Sequence, residues 1–221
     1  MSAAPFHLGP HRLLLDPAGA LVWPAQHLLA VADLHLEKAS HFAARGRLVP
    51  PLDSALTLGR LARLVRLYRP RLLLALGDSF HDEDGPARLA AADAAQLARI
   101  AGETGLTWIA GNHDPRLAGR AVPEITIEGI TFRHAPQRGA AFEICGHLHP
   151  KARVEARGTA VTRACFLAAP HRILLPAFGA FTGGLDIRDP AIASCFPRGG
   201  RAFLLGEGRL FSFRFERGRA G

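Results

Sequence analysis

Five short motifs in this chain carry side chains that bind cations. They are Asp33-Leu34-His35, Gly77-Asp78, Gly111-Asn112-His113-Asp114, the single residue His134, and Gly146-His147-Leu148-His149. Taken singly, an Asp-x-His or a Gly-Asp is an ordinary turn or cap. Taken together and in order, each one follows an apolar run that reads as a buried strand. Loops at strand ends can gather residues distant in sequence around one point. Asp-x-His and His-x-His put two donors on alternate positions, where a turn can aim both inward, and the glycines let backbone pass close to a crowded centre. Carboxylate oxygens, imidazole nitrogens and one amide oxygen, with no thiolate, suit divalent manganese, iron or zinc. Two such ions about 3.5–4 Å apart need a shared carboxylate between them, and Asp78, in the middle of the motif order, is the natural bridge. The chemistry expected of the set is hydrolysis of a phosphate ester by water made acidic between two metals.

Composition sharpens one of these positions. Asn112 is the only asparagine of the chain, so a neutral amide at that point answers a specific need. The bias that removes asparagine also shapes the charge. Lys+Arg outnumber Asp+Glu by 27 to 19 for a net +8, yet Lys38 and Lys151 are the only lysines. A chain that writes nearly all its cations as arginine has the signature of a G- and C-rich coding bias, so its basicity is weak support for a polyanionic partner. Cys145, Cys165 and Cys195 stand far apart, with no C-x-x-C pair. They read as small buried hydrophobes in a reducing cytoplasm. The first residues lack a basic stretch followed by an apolar core, so no secretory signal is expected. Every apolar run is cut short of the ~18 residues of a membrane span.

The elements that must position the motifs can be read in outline. A chain of 221 residues with 48% hydrophobic content is read as one domain, residues 1–221. Leu13–Leu15 and Ala20–Trp23 form a first hairpin across the turn at Pro17–Gly19. Buried strands span His27–Ala32, Leu72–Leu76 and Leu106–Ala110, each ending at a motif. A polar loop follows the first motif. Leu52–Tyr68 has apolar residues at helical spacing and is stopped by Pro70, and Pro86–Gly102 reads as one Ala-rich helix. The second half, in segments 124–128, 130–134, 141–145, 152–156, 159–167, 172–175, 202–206 and 209–215, reads as strands in hairpins with little helix. The expected architecture is α/β, with two packed sheets and flanking helices.

The ordered set Asp33-x-His35, Gly77-Asp78, Gly111-Asn112-His113-Asp114, His134 and Gly146-His147-x-His149 resembles the calcineurin-like metallophosphoesterase superfamily over residues 27–150. The resemblance implies a four-layer α-β-β-α sandwich of two mixed sheets with flanking helices. It implies that Asp33, His35, Asp78 and His149 hold one divalent ion, and Asp78, Asn112, His134 and His147 the other. His113 would act on the leaving group or the phosphate, with Asp114 orienting its ring. One departure is that Ala135-Pro136 follows His134, where many relatives have glycine. Asp33–Lys38, Gly77–Asp82 and Phe178–Gly184 further resemble the bacterial ligase-associated DNA-damage-response phosphoesterases. That resemblance implies a manganese-dependent phosphodiesterase or endonuclease with DNA as substrate, a role in repair and a functional link to an ATP-dependent DNA ligase.

Other residues keep two readings. Lys38, Arg45 and Arg47 are contacts to a nucleic-acid backbone or a solvated basic loop. His81 and Asp82 support the metal site or cap a surface turn. Phe178 and Phe181 stack on unpaired bases or pack beneath a loop. His7, His11, His27, His41 and His171 have no motif around them and receive no role. Two other functions share the same motifs: a phosphatase or nucleotide phosphohydrolase on a small substrate, and a non-catalytic interaction scaffold on the same fold.

Overall fold

A computed structural model describes residues 2–47, 49–113, 121–156 and 158–216. Two sheets pack face to face. The first contains β1 (Ala4–Leu8), β2 (His11–Leu15), β3 (Leu21–Trp23), β4 (Leu28–Ala32), β5 (Leu72–Leu76), β6 (Gly105–Ile109) and β7 (Ala121–Val122), side by side in chain order. β1 to β4 pair antiparallel and β4 to β7 parallel. The second sheet contains β8 (Glu124–Ile127), β9 (Ile130–Arg133), β10 (Glu143–Cys145), β11 (Lys151–Ala156), β12 (Thr159–Ala169), β13 (Arg172–Leu174), β14 (Gly200–Leu205) and β15 (Leu210–Phe215). Its order is β15-β14-β12-β13-β10-β9-β8, with β11 paired to β12.

Strict alternation builds the layers. Leu28, Ala30 and Ala32 of β4 face the second sheet and meet Phe132, Ile144, Phe166 and Ile173 in a shared core. Leu29 and Val31 face the other way, onto the helices. There α2 (Asp53–Tyr68) buries Thr57, Leu58, Leu61, Leu64 and Val65, a stripe at three- and four-residue spacing. Arg69 leaves the helix in the left-handed region and Pro70 ends it. On the far side of the second sheet, Cys145, Cys165 and Leu167 pack against Ile192 of α5 (Pro190–Cys195) and Phe196. Both cysteines are free and buried, as small hydrophobes. The result is a four-layer α-β-β-α sandwich of two mixed sheets with flanking helices. No helix among the described residues is long and apolar enough to cross a membrane.

The structure departs from the sequence reading at several elements. The loop after the first motif contains α1 (Lys38–Ala43). The single Ala-rich helix is two, α3 (Gly85–Arg88) and α4 (Ala91–Glu103), with Leu89 and Ala90 out of helical geometry between them. Tertiary contacts override propensity there: Arg88 turns back to Asp82 and Ser40, and Leu89 packs on the outer core. Asp189 caps α5 by accepting the Ala191 N–H at 2.8 Å, and Pro190 opens it, a start signal present in the sequence. The second half is not all hairpins: β10 runs parallel to both β9 and β13.

Candidate metal centre

The carboxyl ends of β4, β5, β6, β9 and β10 meet at one rim of the sandwich, and each delivers one motif there. The loops are tied to each other by backbone bonds. Asp33 N–H donates to Gly77 O at 3.2 Å, His35 N–H to Asp78 O at 2.9 Å, and Gly146 N–H to His134 O at 2.8 Å. Ten non-glycine residues have positive φ among the described residues, and five of them are Asp33, His35, Asp78, His147 and His149. Left-handed backbone costs about 1–3 kcal/mol at each such residue. Its concentration here means that the surrounding structure holds these side chains in one direction.

Both aspartates are used in the same way. Asp33 Oδ2 accepts the backbone N–H of His147 at 2.9 Å, and Asp78 Oδ1 accepts that of His113 at 3.0 Å. The second oxygen of each faces imidazoles. Asp33 Oδ1 is buried without a hydrogen-bond donor among the described residues and lies 3.4 Å from His149 Nε2. Asp78 Oδ2 lies 3.5 Å from His134 Nε2 and 4.0 Å from the Nε2 atoms of His35 and His113. A buried carboxylate oxygen without a donor is costly unless a cation compensates it.

The imidazoles present lone pairs to that space. His134 donates Nδ1–H to Leu76 O at 3.0 Å, which leaves Nε2 as the acceptor. That Nε2 is 2.9 Å from Asn112 Oδ1 and 3.0 Å from His147 Nδ1. His35 Nε2 faces His149 Nε2 at 3.3 Å. Burial, followed by His149, His81, His113 and Lys38, pushes the His35 pKa down to about 2. Burial and His134 lower that of His147. Both rings are held neutral, the form that ligates metals. Acceptors converging on acceptors in a buried site fit a cation. Two groups result: Asp33, His35 and His149, and Asp78, His134 and His147, with ligand atoms in each within 4.8 Å of one another. These groups can hold divalent metal ions.

All seven residues expected as ligands therefore meet, Asn112 joining the second group through His134. His113 stands on the open side, its side chain 46% exposed. Asp114 lies outside the described residues. Glycines allow the approach: a Cβ on Gly146 would sit 2.6 Å from Asp33 Oδ2, and one on Gly111 would collide with the backbone N of Asp78. Ala135 and Pro136 in place of glycine leave His134 in reach of its neighbours, and they line an open hollow with Asn112, Pro123, Gln137 and His147.

The residues with two readings separate. His81 lies against the site, its ring stacked on His113 at 5.8 Å and edge-on to His35 at 5.5 Å. Asp82 is bound by His41 and by Arg88. His41, given no role from the sequence, packs edge-on against His81 at 4.6 Å; no motif marks it, because α1 brings it there. Phe178 is buried beneath Arg60, whereas Phe181 is 56% exposed. Lys38 donates to Phe181 O at 3.0 Å and Arg45 to His41, while Arg47 is exposed.

No family model matches the chain, and no curated protein matches it. Among solved structures, the nuclease MPE of Pseudomonas putida superposes with a TM-score of 0.73 at 28% identity, covering 96% of this chain and 100% of that one. A more distant likeness is YfcE, a phosphoesterase from E. coli, with a TM-score of 0.43 at 15% identity over 86% of this chain and 98% of that one. The agreement with the first extends from fold to sequence along nearly all of both molecules, and the chain is a metal-dependent phosphoesterase with the calcineurin-like metallophosphoesterase fold.

Proposed function

We propose that this protein is a dinuclear phosphodiesterase that cuts DNA, acting in the cytoplasm in DNA repair and functionally linked to an ATP-dependent DNA ligase. The observation that carries the dinuclear reading is Asp78 Oδ2, which faces His134 Nε2 at 3.5 Å on one side and His35 Nε2 at 4.0 Å on the other. On this reading Asp33, His35, Asp78 and His149 hold one ion, and Asp78, Asn112, His134 and His147 the other. Manganese is the proposed metal, since mixed oxygen and imidazole donors suit it; iron and zinc fit the same donor types. Bound there, the two ions supply a water of lowered pKa and neutralise charge on the phosphoryl oxygens.

The remaining steps belong to the chain. His113, exposed and 4.0 Å from Asp78 Oδ2 through its Nε2, delivers a proton to the departing oxygen. Its backbone N–H bond to Asp78 Oδ1 fixes the loop, and stacking on His81 sets the ring plane. Asp114 is assigned the orientation of that ring. The glycines at the rim keep the loops in contact and exclude bulk from the centre. Support for DNA comes from the relative named a nuclease and from the exposed arginines after the first loop.

The test is hydrolysis of bis-p-nitrophenyl phosphate, p-nitrophenyl phosphate and plasmid DNA by metal-stripped protein. Activity should vanish with EDTA and return better with Mn²⁺ than with Mg²⁺. Diester and DNA should be cleaved faster than monoester. Full activity after metal removal, verified by elemental analysis, rejects the mechanism. Intact DNA beside rapid turnover of nucleotides or monoesters replaces the nuclease reading with the small-substrate one.

A further inference from the structure

The chain has two lysines among 27 basic residues, and both converge on one loop. Lys38, at the start of α1, donates its ammonium to Phe181 O at 3.0 Å, and Lys151, at the start of β11, donates to Thr182 O at 3.0 Å. The loop they hold flanks the metal centre at both ends. Phe178 and Gly179 N–H groups donate to Ala32 and Asp33 carbonyls, and a Cβ on Gly184 would collide with the carbonyl of His149. Ala180 N–H donates to Thr57 Oγ1 at 2.9 Å, and Thr182 Oγ1 to Gly179 O at 3.1 Å. The Phe181 side chain projects 56% exposed from a left-handed backbone with φ of 58°. Non-glycine residues rarely adopt that backbone, and Gly183 and Gly184 are nearby. The ring is held out by a built loop.

Lysine in an arginine-rich chain also has a physical meaning here. A guanidinium offers a flat fork, whereas an ammonium has three N–H bonds in a tetrahedral fan. One bond to a carbonyl leaves two for the oxygens of an anion. Lys38 and Lys151 are each half-buried as residues, with the Lys38 bond to Phe181 O at the exposed edge.

We propose that Lys38, Lys151 and Phe181 form a nucleotide subsite beside the metal centre, the two ammoniums taking the phosphate next to the scissile one and the Phe181 ring stacking on a nucleobase. The inference rests on the phosphodiesterase reading and commits to a nucleoside-bearing diester rather than to a polymer. Two esters with the same leaving group test it: thymidine 5′-(p-nitrophenyl phosphate), which has a base, and methyl p-nitrophenyl phosphate, which has none. Phe181→Ala should raise KM for the thymidine ester by about 5- to 150-fold with kcat unchanged, the range of one base–aromatic stack. The methyl ester should be indifferent, and Phe181→Tyr should restore the thymidine ester where Phe181→Leu does not. Equal effects on both esters, or none, overturn the stacking role. For the lysines, a 3′-phosphate added to the thymidine ester should lower KM in the wild type, and Lys151→Gln should remove that gain, read as the ratio of KM with and without the 3′-phosphate within the same variant. The gain must also shrink as salt rises. A gain that survives the substitution, or ignores salt in the folded wild type, overturns the phosphate role. DNA left intact while thymidine esters depend on Phe181 rejects the DNA reading and keeps the subsite. DNA cut with neither ester sensitive to Phe181→Ala rejects the subsite alone.

Discussion

Gly77→Ala is a substitution of one methyl group that should separate the two metal groups. Gly77 has φ of +73°, and a Cβ there would lie 2.7 Å from the Cβ of His134 and nearer still to its ring. Carbon atoms in ordinary contact need about 3.5–4.0 Å, so the ring must retreat by about 1 Å. It cannot retreat freely, because Nδ1 is bonded to Leu76 O at 3.0 Å and the side chain is buried. Two losses follow. Left-handed backbone without glycine costs about 1–2 kcal/mol, equivalent to a Tm lowered by about 2–8 °C in a domain of this size. His134 also leaves the Asp78, His134 and His147 group, and losing the bond that orients a ligand costs about 10- to 100-fold in metal affinity. The three atoms nearest the added methyl all belong to His134, so the Asp33, His35 and His149 group should be disturbed less and one ion should be retained. The assay is a Mn²⁺ activation titration with elemental analysis after dialysis. The variant should hold one tight ion per chain and need about 10- to 100-fold more Mn²⁺ for half activation. Gly59→Ala is the control: Gly59 lies within α2 with nothing within 4 Å of its Cβ, and the change should be neutral to slightly stabilising. Two ions held and wild-type activation by Gly77→Ala would refute the reasoning.

Asp78→Ala should abolish activity and lower metal content at both positions. His113→Ala should keep metal and slow turnover by ~10²–10⁴-fold, with the loss shrinking for good leaving groups; equal losses reject the acid role. Arg45 and Arg47 changed together to Ala should weaken DNA cleavage more than small-diester hydrolysis and flatten the salt slope by about one unit per lost phosphate contact; parallel losses place them in the fold instead. Tyr68 is the only tyrosine, and its hydroxyl donates to Asp16 Oδ2 at 2.5 Å. Burial and that bond raise its pKa well above the usual value of about 10. Its contribution to stability is therefore complete below about pH 10 and is lost as pH rises through the folded pKa. Absorbance titration should show no phenolate near pH 10 in folded protein, and Tyr68→Phe should cost about 1–3 kcal/mol in urea unfolding by stranding the Asp16 oxygen. Ionisation at the ordinary pKa would remove that bond from the account.

The sequence by itself determined the residue types of the two Asp/His clusters, their order and the strands that carry them. A buried strand announces itself as an apolar run, and a run that stops at Asp33, Asp78 or Asn112 announces where the chain leaves the core. Local patterns also gave α2, with its buried stripe, and most strands of the second half. Some signals were present and unread, such as the Asp189-Pro190 start of α5. Other features had no local signal. The break between α3 and α4 depends on Arg88 reaching Asp82 and Ser40, and His41 reaches His81 only because α1 turns it there. The meeting of Lys38 and Lys151 at Phe181 and Thr182 joins residues more than a hundred positions apart. Periodicity reports the neighbours along one element, since it follows from residues per turn or per pleat. Contacts between loops depend on how the two sheets stack and on which side chain wins a shared partner, and only the folded chain decides that.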